Sequence, residues 1–233
     1  MDPEDLFRVA TNPNRNLEEL RNIQDEIAKK VILQDDFSTP LEYIGGIDTA
    51  YINDIAVTAC IILEWPSLQL LEQKIVEVEV KFPYISTYFV FREGPPILKV
   101  LSKINRKPNL LLINSQGILH PRFAGCASHI GVITEIPTIG VAQKALLGMW
   151  ASKPTIVKDW VPIYYGDKIV GAYFLSQKGN KPIVISPGHR ISLETAVEIV
   201  KNSITKNRMP EPLRLAHQLA TEKKQALEQD MQN

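Results

Sequence analysis

Residues Tyr43 to Val80 read YIGGIDTAYINDIAVTACIILEWPSLQLLEQKIVEVEV. Two turn signals, Asn53-Asp54 and Trp65-Pro66-Ser67, cut this stretch into three strand-length runs: Tyr43–Tyr51, Ile55–Leu63 and Leu70–Val80. Turns this short join neighbouring antiparallel strands. The third run alternates Ile75, Val78 and Val80 with Lys74, Glu77, Glu79 and Lys81, the pattern of a strand with one wet face. The character then changes. Asn109–Ile113 and Thr138–Ala142 are short runs dominated by apolar residues, as buried parallel strands are, and helical periodicity lies between them. Three antiparallel strands followed by helices alternating with parallel strands describe a mixed α/β sheet.

Outward from this centre, Leu17, Leu20, Ile23, Ile27 and Val31 recur at helical spacing, with Glu18 and Glu19 in the first turn. Gly94-Pro95-Pro96 is expected to open a helix, and a second is expected over Arg122–Thr134. Strands are expected near Ile163, at Ile169–Leu175 and at Ile183–Ile185, then a helix capped by Ser192 and a last helix near Leu213–Leu227. No linker separates two cores, so 1–233 reads as one domain, with an arm over 1–15 and a polar tail over 221–233.

The 26 basic and 26 acidic residues cancel, which excludes a generally basic nucleic-acid coat. Contacts to phosphates must then come from local patches, such as Lys103–Lys107. No apolar run is long enough to span a membrane, and the acidic start has no signal-peptide core, so a cytoplasmic protein is expected. Cys60 and Cys126 stand far apart and indicate no disulfide framework.

Ligands of open α/β sheets gather at strand ends, so polar residues there are candidates. Asp48 is flanked by apolar residues and must be compensated by a cation, a proton or donors; a buried Asp bonding a loop is the plainer alternative. Glu93 sits where a helix begins, a place where Glu also simply caps. Asn114 ends an apolar strand before a glycine turn, and is equally an ordinary turn residue. His120 and Arg122 at a helix entrance suit a phosphate. His189 lies in Ser186-Pro187-Gly188-His189, read as a loop before a helix. His120, Cys126 and His129 lack a fourth ligand and the paired spacing of a zinc site. Cys126 as a nucleophile competes with Cys126 as plain packing.

Gly45–Tyr51, Pro83-Tyr84-Ile85, Phe91–Pro95, Gln116–Arg122, Ala127–Val132, Pro137–Ala142, Ser186–His189 and Pro210–Ala216 together resemble endonuclease V, in that family's order, over about residues 17–220. The resemblance implies a ribonuclease H-like fold and a magnesium-dependent phosphodiesterase, manganese being an alternative metal. It implies a nick at the second phosphodiester bond 3′ to deoxyinosine in DNA, or to inosine in RNA, by a monomer that needs no membrane. Asp48, Glu93 and Asn114 would surround the metal, and His189 would be the additional active-site residue. Tyr84 would be the wedge that fills the stack when the base leaves. Gly117, Ile118, Leu119 and Gly125 would line the base pocket, with His120, Arg122 and Gln143 contacting substrate.

The chain departs from the family pattern at three places. Asn114-Ser115-Gln116-Gly117 stands where the family has Asp-Gly-Gln-Gly, Gln143 replaces a lysine, and Ser86 replaces a proline. With the neutral Asn114 in place of an acid, metal binding is expected to be weaker and cleavage slower. A protein that binds deaminated nucleic acid without cutting it is the alternative reading.

Overall fold

The structure, a computed structural model, describes residues 7–8, 12, 16–149 and 154–231. Most of the expected arm over 1–15 lies outside the described residues. Helix α1, Leu17–Lys30, starts where the Asn16 side chain accepts from the Glu18 amide at 2.9 Å. It buries Leu20, Ile23 and Ile27, as their spacing predicts.

Strands β1 (Tyr43–Ile52), β2 (Ile55–Glu64) and β3 (Leu70–Glu79) form the expected antiparallel meander. Ile52 pairs with Ile55 across the Asn53-Asp54 turn, and Asn53 takes the left-handed conformation (φ 49°) that asparagine tolerates. Helix α2 (Val90–Leu101) then leads to β4 (Leu110–Ile113), parallel to β1, and α3 (Cys126–Thr134) leads to β5 (Thr138–Ala142), parallel to β4. Strands β6 (Trp160–Tyr165), β7 (Lys168–Phe174) and β8 (Ile183–His189) are followed by α4 (Leu193–Asn202) and α5 (Glu211–Asp230). The eight strands lie in the order β3-β2-β1-β4-β5-β8-β7-β6. This is the mixed α/β sheet expected. Its far half differs, because β8, β7 and β6 add on antiparallel.

Four boundaries also differ. Helix α2 begins at Val90, so Pro95 and Pro96 fall inside it, where the helix forgoes the amide bonds that they cannot donate. Helix α3 begins at Cys126 because residues 121–125 turn around the packed Gly125. Strand β8 runs through Ser186-Pro187-Gly188-His189, with an irregularity in the register where Thr138 pairs with His189 and Ile139 with Pro187. The last helix, expected near Leu213–Leu227, runs over Glu211–Asp230 and so takes in most of the stretch read as a polar tail.

Helices α2 and α3 cover one face of the sheet through Phe91, Ile97 and Ile130. Helix α4 covers the other with Val197 and Val200, beside α5, which lays Ala216 and Ala220 on β1 and β2. Ser192 caps α4 as expected, accepting from the Thr195 amide at 3.2 Å.

Candidate functional site

Asp48 is the sixth residue of β1 and is only 6% exposed. Ile47 pairs with Ile113, the last residue of β4, so Asn114 emerges beside Asp48 at the carboxyl end of the parallel strands. The Asn114 amide Nδ2 donates to Asp48 Oδ1 at 2.7 Å. Glu93, in the first turn of α2, is also 6% exposed. Tyr51 donates to its Oε1 at 3.4 Å, and the Arg92 guanidinium lies 4.5 Å over the Tyr51 ring. Burial, and then the Asp48 charge, hold the Glu93 carboxyl well above the usual carboxylate range. The sheet and α2 thus bring Asp48, Glu93 and Asn114 together.

A residue not anticipated from the sequence completes the cluster. His217 Nδ1 lies 2.7 Å from Asp48 Oδ2. It arrives there because α5 begins directly on β1: a Cβ at Gly46 would stand 2.3 Å from the Pro212 carbonyl. Glycine at 46 therefore permits the close backbone approach that carries His217, five residues on, over the Asp48 carboxylate. The signal available in the sequence was a histidine next to the Pro210–Ala216 motif, on a helix whose inward positions are Leu213, Ala216 and Ala220.

His189 is not brought to this cluster. It pairs with Thr138, the first residue of β5, and Leu111 of β4 lies level with Thr138. Asn114 is three residues further along, about 10 Å at strand rise. Because β8 is antiparallel to β5, its carboxyl end points away from the ends of β1, β4 and β5. His189 Nδ1 instead accepts from the Ile32 amide at 3.3 Å, and burial lowers its pKa.

His120 and Arg122 have partners other than phosphate. The Thr87 carbonyl receives Gln24 Nε2 at 2.8 Å, His120 Nε2 at 2.9 Å and Arg122 Nη2 at 3.2 Å. His120 Nδ1 accepts from the Arg122 amide at 3.2 Å, so the proton sits on Nε2 and the ring is neutral. Burial lowers its pKa to about 4. These groups anchor the turn at 86–88 that follows Tyr84. Tyr84 itself is 70% exposed, with its ring edge-on to Phe89 at 5.6 Å.

Between that turn and the end of β4 opens a small cleft, lined by Ser86, Phe89, Ser115, Gln116, Gly125 and Leu146 among others. Ser115 follows Asn114, and Val90 on the cleft wall lies one helical turn before Glu93, so cleft and acids adjoin. Gly125 lines the cleft. Gly117 does not: its Cβ position would fall 2.0 Å from the Pro187 carbonyl oxygen, and Ile118 and Leu119 pack in a separate apolar cluster. Gln143 is exposed immediately after β5, at the same sheet end as the acids.

The two competing chemistries find no support in this arrangement. Among the described residues no group of three or more His, Cys, Asp or Glu is placed to hold a metal, so His120, Cys126 and His129 form no zinc site. Burial, reinforced by the Glu93 charge, pushes the Cys126 thiol up, against a nucleophilic thiolate. Asp48 and Glu93 are instead two desolvated, mutually repelling carboxylates with an amide oxygen nearby. Oxygen donors of this kind suit a hard divalent cation, which would relieve the repulsion.

Fold and site define a class: a mixed α/β protein with an acid-lined site at the carboxyl ends of its parallel strands, beside a small cleft. The endonuclease V family model matches residues 25–218. Endonuclease V of Dictyoglomus turgidum is 42% identical over 203 residues, 87% of this chain and 89% of that protein. The crystal structure of endonuclease V from Streptomyces avermitilis superposes with a TM-score of 0.85 at 33% identity, covering 93% of this chain and 95% of that one. Endonuclease V from Ciona intestinalis, solved in complex with a 24mer DNA containing an inosine followed by a ribo-adenosine, gives a TM-score of 0.81 at 30% identity, over 91% and 98% of the chains. The chain belongs to the endonuclease V family.

Proposed function

We propose that this chain is a divalent-metal-dependent endonuclease that nicks DNA, and inosine-containing RNA, at the second phosphodiester bond 3′ to a deaminated purine. The observation that carries this reading is the buried Asp48–Glu93 pair, in which burial and then the Asp48 charge raise the Glu93 carboxyl, adjoining a small cleft. The relative solved with inosine-containing DNA supports the choice of substrate.

Asp48, Glu93 and the Asn114 amide oxygen would hold Mg²⁺ or Mn²⁺. Once bound, such an ion supplies Lewis-acid stabilisation of phosphate charge and a more acidic water. His217 fixes the Asp48 carboxylate through Oδ2, leaving Oδ1 to the amide of Asn114 or to a cation. Tyr84 is exposed on an anchored turn, as a side chain that replaces a displaced base in the stack must be. The displaced base would enter the cleft by Gly125.

A second reading has its own support. Asn114 already satisfies Asp48 without a cation, which fits a protein that binds deaminated nucleic acid and does not cut it. Incubating an end-labelled deoxyinosine duplex with Mg²⁺ or Mn²⁺ tests both. The proposal expects a nick one nucleotide beyond the lesion. Tight binding without any nick supports the second reading.

A further inference from the structure

Next to Ala124 and Gly125 of the cleft wall, Phe123 lines a second hollow, a trough of about 330 Å³, in the size range of small-ligand sites. Its floor is the buried Ile118 and Val170, and its rim carries Leu33 and Ile169, 45% and 48% exposed. The exposed Lys29 and Lys168 flank it. The Phe123 ring is held in place. Its amide donates to the His120 carbonyl at 2.9 Å, and its backbone takes a left-handed conformation (φ 53°) that is costly for a bulky side chain. The ring meets the half-exposed Tyr165 ring at 5.8 Å, and Lys168 Nζ lies 4.9 Å from its centroid. Lys29 is bonded only to the exposed Glu26, a surface pair that holds its ammonium weakly.

Continuity with the cleft decides what fills this trough. Gln24 lines the cleft, and Ala28, four residues on and on the same face of α1, lines the trough. The two therefore lie about one helical turn apart, roughly 5.4 Å, less than two nucleotides at the stacked spacing of about 3.4 Å. An aromatic wall over an apolar floor, with ammonium groups at the mouth, is what an unpaired nucleotide needs: its base stacks and its phosphates meet the lysines. We propose that the trough is an accessory subsite for an unpaired nucleotide of the substrate strand, a few positions from the deaminated base. The base stacks on Phe123, taking the place of the Lys168 ammonium, which with Lys29 then pairs with the flanking phosphates. The subsite reads no base edge, because nothing polar lines its floor, so it adds affinity for unpaired strand without adding sequence preference.

This inference rests on the proposed function, and its test separates the two. Fluorescence anisotropy in EDTA, where no strand is cut, would follow single-stranded pentamers centred on deoxyinosine or deoxyadenosine. The same pentamers would carry four further thymidines, or four abasic residues, on the 5′ or the 3′ side. For wild type, thymidines on one of the two sides should tighten binding about tenfold, and abasic residues there should gain less. Phe123→Leu, which keeps an apolar side chain of similar size, should reduce the thymidine gain to the abasic one and leave pentamer binding unchanged. Phe123→Trp should restore it. Lys168→Gln should shrink both gains and lower the salt slope of the extended oligonucleotide by about one. Equal affinity for pentamer and both extended forms, or a gain that survives Phe123→Leu, overturns the assignment. A free chain that sediments as a dimer, and as a monomer in Leu33→Glu, gives the trough to a second copy and overturns it too. A wild-type chain that binds the deoxyinosine and deoxyadenosine pentamers equally fails the proposed function, whereas one that prefers deoxyinosine and gains nothing from either extension fails the subsite alone.

Discussion

Asn114 donates a 2.7 Å hydrogen bond from Nδ2 to Asp48 Oδ1, at the point where the endonuclease V pattern has a second aspartate. An aspartate there would repel Asp48 and Glu93 and call for a cation. The amide does the opposite, since it neutralises the demand for one. A unit charge about 4 Å from another is worth roughly 4 kcal/mol at an effective dielectric near 20, so this exchange bears directly on metal affinity.

Asn114→Asp is therefore expected to raise Mg²⁺ affinity and incision rate by at least about tenfold. Without metal the same change should destabilise the protein, because three acids then share one buried site. Melting in EDTA should show a lower Tm than wild type, and Mg²⁺ should reverse the difference. Equal melting with and without Mg²⁺ would count against Asn114 facing the metal.

Gly46→Ala places a methyl group 2.3 Å from the Pro212 backbone, which has no flexible end to yield. A loss of about 1–3 kcal/mol is expected in denaturant unfolding, as for other overpacked sites. Incision should fall further than stability, because the start of α5 positions His217. His217→Ala should reproduce the activity loss at near-normal stability, since that side chain is 70% exposed.

Acid should weaken the fold through histidines that burial holds neutral, His120 and His129 foremost. Burial lowers His120 to about 4 and His129 to about 3, against 6.5 when unfolded. Below pH 6.5 the unfolded chain takes up protons that the folded chain refuses, so stability declines down to about pH 4 for His120 and about pH 3 for His129. Glu93 acts in the opposite sense: its raised folded pKa favours the folded state as pH drops towards the unfolded value of 4.5. Glu93→Gln should therefore steepen acid unfolding between pH 6.5 and 4.5. A shallower profile would contradict these assignments.

Tyr84→Ala should reduce the preference for inosine-containing over ordinary duplex, measured by competition binding, with little effect on non-specific affinity. Equal loss on both duplexes would remove the wedge role.

Much of this was legible in the chain because it is local. Alternation and the Asn53-Asp54 turn place β1 to β3, and an acid inside an apolar strand marks Asp48. What escaped depends on contacts between distant segments. Pro187-Gly188 reads as a strand breaker, yet β8 accommodates it through an irregular register with β5, and a Cβ at Gly188 would sit 2.3 Å from Thr138 Oγ1. That same antiparallel register sends His189 to the opposite sheet end from Asp48. His217 reaches Asp48 across 169 positions, through a backbone contact between Gly46 and Pro212 that no local pattern displays. His120 and Arg122 offered the right groups for phosphate, but the Thr87 carbonyl claims them.

The most direct test compares wild type with Asp48→Asn and Glu93→Gln on an inosine-containing duplex in Mn²⁺, under single-turnover conditions, with binding measured in parallel. Both variants should still bind the duplex and should lose incision by about a thousandfold or more, as expected when metal-assisted phosphodiester hydrolysis loses a ligand. Incision by either variant at the wild-type rate would contradict the assignment of these two acids as the catalytic centre.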